Sequence, residues 1–302
     1  MACCTSVSTF IRTLFYRTLL MCQKKKAFKV MNTLESIRAI KKNNLSFIRL
    51  GDGEFHMIAH KGYGIGFQKS DPKLIDGLLR VVSANSDRLL LCIPRTFSLT
   101  FENMNIRAQS FWARYVHKTI DILPKLIDRN RTYGNTLITR FYIDASDKTK
   151  VTPYFSEMKS LWEDADVIIV EGSLTRFGVG NDLLANACSV KRVIVPPKNA
   201  FECYDDILSE CRKQPKKSLF MLAIGPTAKV LALDLFNDGY RVFDVGHLDL
   251  EYEWFLAGAT WKQSVPGKYF NEATHSEDIF RNEFDDLKSN KKYLSEIICR
   301  IS

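Results

Sequence analysis

Seven short apolar runs, each separated from the next by a stretch with helical periodicity, constrain this chain more than any other feature. The runs are residues 45–50, 88–93, 136–139, 167–171, 192–195, 218–224 and 241–245. Between them, apolar residues recur at helical spacing, as in residues 110–127, 201–212 and 227–237. A strand that is apolar along its whole length must be covered on both faces, and parallel neighbours need crossovers long enough to hold a helix. The pattern therefore predicts an α/β fold: a parallel sheet with helices on both faces. The 302 residues, without a linker-like stretch, suit one large α/β domain or two small ones.

In such a sheet, ligands bind outside the carboxyl ends of the strands. The residues that follow the predicted strands are Gly51-Asp-Gly-Glu54, Pro94-Arg95, Glu171-Gly-Ser173, Pro196-Pro-Lys-Asn199, Gly225-Pro-Thr227 and Gly246-His-Leu-Asp249. Glycine, charge and hydrogen-bonding groups are thus concentrated at one rim, and the strand interiors are not rich in them.

Four of these segments carry candidate chemistry. In Arg49-Leu-Gly-Asp-Gly-Glu54, an extended backbone would point Asp52 and Glu54 the same way. Mg²⁺ and Mn²⁺ are commonly shared between one or two carboxylates and substrate phosphates. The pattern alone is equally that of a turn after a strand. The second segment, residues 171–182, reads as a Gly-rich loop running from a strand into a helix, where backbone N–H groups meet phosphate. Arg176 would neutralise a diphosphate, and Asn181 or Asp182 would cap the helix. It is neither a Walker A nor a GxGxxG sequence. In the third, Gly225-Pro-Thr-Ala228 opens a helix, with Thr227 as a cap or a phosphate contact. The fourth, Asp244-Val-Gly-His-Leu-Asp-Leu-Glu-Tyr-Glu-Trp254, crowds acids together with apolar residues between them. Such crowding needs a nearby cation or a raised pKa. His247, Asp249, Glu251 and Glu253 are candidates for a general base, a metal ligand or a binder of sugar hydroxyls.

Residues 1–30 are basic and amphipathic. Arg12 and Arg17 interrupt the apolar run of residues 9–22, and Lys24-Lys-Lys26 follows. The run is too short and too charged to span a bilayer and lacks a signal-peptide cleavage pattern. It either packs on the domain or lies on an anionic membrane surface. The formal charge of +9 favours acidic partners without choosing among them. Hydrophobic residues at 46% exclude a disordered chain. The eight cysteines form no CxxC pair and no zinc spacing, which suggests reduced thiols and a cytoplasmic setting. The basic residues are scattered and match no nucleic-acid-binding fold, so no nucleic acid partner is expected.

Taken in order, the first segment, Arg176-Phe-Gly-Val-Gly-Asn-Asp-Leu183, Pro197-Lys-Asn-Ala-Phe201, the Gly225 segment, the acidic segment from Gly246 to Trp254 and Gly267-Lys-Tyr-Phe-Asn-Glu272 resemble the bacterial GT-D-type glycosyltransferases, which build surface glycans and glycosylate adhesins. The resemblance implies a single Rossmann-like domain over residues 31–302, a UDP-sugar donor, a glycan acceptor that is lipid-linked or protein-bound, and Mn²⁺ or Mg²⁺. It places the metal on Asp52 and Glu54. Arg49, Gly51, Arg176, Asn181, Asp182, Asn199, Gly225 and Thr227 are the expected donor contacts. Glu253, then Asp249, then His247 are the expected catalytic groups. Leu50 stands where an aromatic residue is commoner in the family. The expected activity is a hexosyl transfer. The alternatives are a metal-dependent nucleotide-sugar hydrolase or phosphotransferase, and a basic membrane-binding module.

Overall fold

The computed structural model describes residues 2–60, 62–269 and 290–302, with side chains from Val7 onward. Its strands are β1 (Lys29–Val30), β2 (Ser46–Arg49), β3 (Leu89–Ile93), β4 (Thr132–Asn135), β5 (Asp166–Gly172), β6 (Ser189–Val195), β7 (Leu219–Ala223), β8 (Arg241–Asp244) and β9 (Ile297–Arg300). Its helices are α1 (Ala2–Met21), α2 (Thr33–Asn43), α3 (Asp52–Ala59), α4 (Pro72–Ser83), α5 (Ile106–Thr119), α6 (Tyr154–Lys159), α7 (Tyr204–Arg212), α8 (Thr227–Asn237), α9 (Leu248–Leu256) and α10 (Lys291–Glu296). The strands form one sheet in the order β1-β4-β3-β2-β8-β7-β5-β6-β9. Every pairing in it is parallel.

The alternation of side chains along each strand builds two cores. Ile48, Leu91, Val170, Leu222 and Val242 point to one face, where α4, α5, α7 and α8 cover them. Phe47, Cys92, Ile169, Met221 and Phe243 point to the other, under α2, α6 and α9. Each strand feeds both cores because successive residues face opposite ways. At the centre, Phe47 of β2 is paired in register with Phe243 of β8, and their rings stack at 4.8 Å.

Six of the seven expected runs are strands. The seventh is a correction: the strand ends at Asn135, and Thr136–Thr139 is a 3-10 turn. The Asn135 side chain accepts the Leu137 N–H and so starts the turn. β4 itself, Thr-Tyr-Gly-Asn, has no apolar run to reveal it; a Cβ on Gly134 would lie 2.6 Å from the Cys92 sulfur. The edge strands β1 and β9 are short and were likewise not legible. The helix expected over residues 227–237 is α8; the one over residues 110–127 starts earlier and stops at Thr119. The six described cysteines are free thiols.

α1 lies along α5, with Thr13, Tyr16 and Leu20 turned inward. No described helix is long and apolar enough to cross a membrane.

Candidate active site

A cavity of about 870 Å³ opens at the carboxyl ends of the strands. The chain leaves β2 towards β3 on one side, and β8 returns on the other, so the strand order reverses at β2. This is the crevice in which open α/β sheets bind ligands. Residues after six strands line it, including Gly51, Thr136, Thr175, Pro196, Gly225 and Gly246. The expected rim segment Pro94-Arg95 is absent from the wall; Arg95 instead donates to the Val30 carbonyl.

The floor is an ionic cluster joining β2, β8 and α8. Arg49 donates from Nε to the Asp244 carbonyl at 2.8 Å and from Nη2 to the Asp244 carboxylate at 3.0 Å. Lys229, in the first turn of α8, places its Nζ 3.1 Å from the same carboxylate and 3.5 Å from Glu54. Asp244 is wholly buried. Burial pushes its pKa up, but the charges of Arg49 and Lys229 outweigh burial and hold it below its ordinary value. Gly246 makes room for this: it sits at φ +47°, and a Cβ there would lie 1.9 Å from Arg49 Nη2.

Asp52 and Glu54 both line the cavity, but on the first turn of α3, not on extended chain. Two residues apart on a helix, their side chains diverge by about 200°. Glu54 turns back and accepts the Gly51 N–H at 2.7 Å, capping the helix. Among the described residues, no group of three or more His, Cys, Asp or Glu side chains converges to hold a metal. The wall therefore offers two hard carboxylates beside open space. That donor set fits Mg²⁺ or Mn²⁺, which complete their shell with substrate oxygens and water. Asp52 and Glu54 are the residues that would hold the ion.

The acidic segment is helix α9. Asp249, in its first turn, is buried against the cavity. It accepts from the Gly178 N–H at 2.9 Å, Asn181 Nδ2 at 2.8 Å and Lys268 Nζ at 2.7 Å. Burial raises its pKa, and Lys268 opposes that without cancelling it. Glu253, one turn on, shares Asn181 and Lys268, each at 2.7 Å, but does not line the cavity. Glu251 is wholly buried and accepts the N–H groups of Tyr142 at 2.6 Å and Ile143 at 2.9 Å. Its Oε1 has no hydrogen-bond partner among the described residues. Burial lifts its pKa to about 7, against the pull of Arg140 and the two N–H groups. His247 precedes α9 and lines the cavity.

The Gly-rich loop differs most from expectation. Residues 173–187 are successive turns and lead into β6, so Asn181 and Asp182 cap no helix. Asp182 accepts the Tyr252 hydroxyl at 2.6 Å and Lys159 Nζ at 2.7 Å. Arg176 is 5% exposed, donates to the Gly267 carbonyl at 2.7 Å and is absent from the cavity wall. Asp182 likewise does not line the cavity. Asn199 does line the cavity, at φ +55°. It ties down the loop bearing Phe67, donating its N–H to the Phe67 carbonyl at 2.8 Å. Gly225, at φ +60°, lies against that ring: a Cβ there would sit 2.1 Å from Phe67. Thr227 is buried and bonds Gln68 instead of facing the cavity. Of the Gly267 segment, Phe270, Asn271 and Glu272 lie outside the described residues.

Sequence reasoning missed Lys229, Arg107, Arg140, Asp144 and Lys262, all on the wall, and the aromatics Phe111, Trp112 and Trp261. Lys229 was hidden in a helix that reads as apolar; only its place in the first turn after Gly225 could have betrayed it. Among the described residues, five Arg or Lys and four Asp or Glu side chains line the cavity.

Known proteins resemble this chain in sequence and fold. The sequence model of the family described as Glycosyltransferase GT-D fold matches residues 47–273. The chain is 37% identical over 281 residues to the Probable glycosyl transferase Gly of Streptococcus gordonii, covering 92% of this chain and 40% of that protein. It is 37% identical over 268 residues to Glycosyltransferase GlyD of Streptococcus pneumoniae serotype 4, covering 88% of this chain and 32% of that one. The chain thus spans less than half the length of these relatives. A solved structure described as the highly conserved domain of unknown function 1792, with a distinct glycosyltransferase fold, superposes with a TM-score of 0.82 at 37% identity, covering 96% of this chain and all of that one.

Proposed function

The chain belongs to the GT-D-fold glycosyltransferase family, and from that premise we propose that it moves a hexose from a UDP-sugar to a glycan acceptor with Mn²⁺ or Mg²⁺. The observation that supports this reading most is the charge of the cavity. Its five cationic and four carboxylate side chains nearly cancel. The described wall is too weakly positive to offset a diphosphate, and one divalent ion held by Asp52 and Glu54 would supply what is lacking. Bound there, the ion would serve as a Lewis acid for the departing nucleotide.

The chain's own groups do the rest. Arg49 and Lys229, fixed by Asp244, present preorganised positive charge where the leaving diphosphate gains negative charge. Gly225, Asn199 and Gly51 bring backbone close to the nucleotide. In an inverting transfer, Asp249 takes the proton of the acceptor hydroxyl: it faces the cavity, and burial makes it more basic than an ordinary carboxylate. Glu253, the first choice from sequence, holds Lys268 and Asn181 in place behind it. We place the reaction in the cytoplasm, where nucleotide sugars are made.

The test is nucleotide release from a panel of UDP-sugars, with Mn²⁺ or EDTA, by wild type and Asp52→Ala. Turnover of one donor, abolished by both EDTA and the substitution, is the expected result. Turnover indifferent to both would remove the metal from the reading. Absence of UDP binding, with and without metal, would remove the nucleotide sugar.

A further inference from the structure

α1 resolves the choice that its sequence left open by having two faces. Thr13, Tyr16 and Leu20 pack towards the domain, while Val7, Phe10, Ile11, Leu14, Phe15 and Met21 are each more than half exposed. At 100° per residue these six span a stripe about 140° wide along the outer side of the helix. Six large apolar side chains on one exposed strip exceed the scattered singles of an ordinary soluble surface.

Charge says what covers the stripe. Arg12 and Arg17 lie on its two margins at that helical spacing, and Arg17 is anchored by donating to Gln109 Oε1 at 2.9 Å. The exposed Lys24 and Lys25 follow directly. The neighbouring helix α5 adds exposed Arg107, Arg114 and Lys118. Residues 1–34 and α5 contain no Asp or Glu at all. One carboxylate from elsewhere, Asp121, pairs with Lys26. An apolar stripe with cationic margins and no acids matches an anionic bilayer surface: acyl chains take up the stripe and headgroup phosphates meet the margins. A second copy of the chain would bring the same positive charge against itself.

We propose that α1 is an interfacial membrane anchor that seats the domain on an anionic bilayer, with the cavity beside the lipid surface. α5 connects the two. One of its sides holds α1, and Asn105, Ala108, Phe111 and Trp112 on another line the cavity. Phe111 (40% exposed) and Trp261 (65% exposed) flank the cavity with apolar surface. The acceptor that fits this placement is a glycan on a lipid carrier. That last step rests on the transferase reading; the anchoring itself does not.

The experiment is flotation of the full chain with vesicles of phosphatidylcholine, alone or mixed with the anionic phosphatidylglycerol, at low and high salt. UDP binding is measured in parallel. Wild type is expected to float with the anionic vesicles only, and less so at high salt. Phe10→Glu with Leu14→Glu is expected to lower the floating fraction by about tenfold or more while UDP binding is unchanged. Lys24→Glu with Lys25→Glu lies outside the packed helix and tests charge without risk to folding; it is expected to remove the preference for anionic lipid. Equal flotation with neutral vesicles, no flotation, or a doubled mass in solution that the Phe10/Leu14 variant abolishes would each overturn the anchor. Failure of UDP binding with flotation intact would instead count against the transferase reading alone.

Discussion

Two charged clusters share one cavity and answer burial in opposite ways. In the floor cluster, two cations, Arg49 and Lys229, surround buried Asp244, which is held ionised below its ordinary pKa. In α9, Asp249 shares Lys268 with Glu253, Glu251 accepts two backbone N–H groups, and both Asp249 and Glu251 are raised, Glu251 to about 7. The chemistry of the groups is the same carboxylate, and the burial is the same. What differs is that Asp244 is paired directly with two cations at 3.0 and 3.1 Å, and that sets the direction of the shift. The floor keeps a permanent charge; α9, on the proposed reading, exchanges a proton.

The sharpest way to break this contrast is Asp244→Ala. It strands buried Lys229 and partly buried Arg49, and losing one partner of such a cluster costs about 3–5 kcal/mol. Urea unfolding is expected to show a fall of that size. A loss below about 1 kcal/mol would mean that Arg49 and Lys229 relax to water and that the floor is not preorganised. The pH dependence has a definite sign. Because the pKa of Asp244 is lowered, its stabilisation is present above its ordinary value and fades as acid protonates the folded state.

Glu251 has the opposite sign and a smaller size. Its pKa rises from 4.5 to about 7. Its contribution is therefore full below about pH 4.5 and lost as pH climbs through 7. The shift corresponds to about 3 kcal/mol at most. Glu251→Gln keeps an acceptor for the Tyr142 and Ile143 N–H groups without the charge. The variant is expected to match wild type near pH 5 and to exceed it by about 1–3 kcal/mol near pH 8 in denaturant titrations. Parallel pH profiles for the two proteins would show that Glu251 is not the titrating group.

Gly246→Ala tests the floor from the backbone side. A methyl group must displace Arg49, and φ +47° disfavours any side chain. The expected cost is about 1–3 kcal/mol of stability, with weaker UDP binding as Arg49 moves. Unchanged binding would mean that Arg49 does not meet the nucleotide.

The sheet was legible because its central strands are buried on both faces and so are apolar throughout; residues 167–171 and 218–224 admit little else. β4 was not, since Gly134 is there for closeness to Cys92 and Leu90, not for burial of its own. The rim was legible as a rim: Asp52, Asn199, Gly225 and Asp249 do face one cavity. Which way a rim residue turns was not. Glu54 reaches back to cap its own helix, and Arg176 turns away to Gly267, because neighbours distant in sequence supply the partner. Lys229 was missed for the same reason: its importance comes from Asp244, at a remove that no local pattern encodes.

The smallest effect divides α9 internally. Asp249 and Glu253 share Lys268 and Asn181 yet differ in exposure: the Asp249 side chain is 3% exposed and faces the cavity, while that of Glu253 is 20% exposed and does not. Glu253→Gln removes one charge from a network that retains Asp249 as the main partner of Lys268. The expected cost is about 1 kcal/mol or less in stability, with kcat lowered by less than about tenfold, the size of a contact that only positions another group. Because Lys268 then has a single carboxylate to attend to, it presses harder on Asp249, and the acidic limb of the kcat/KM profile is expected to move to lower pH. A loss of about a hundredfold or more, with the acidic limb abolished, would reassign the proton acceptor to Glu253 and move the acceptor site to the far side of Asn181.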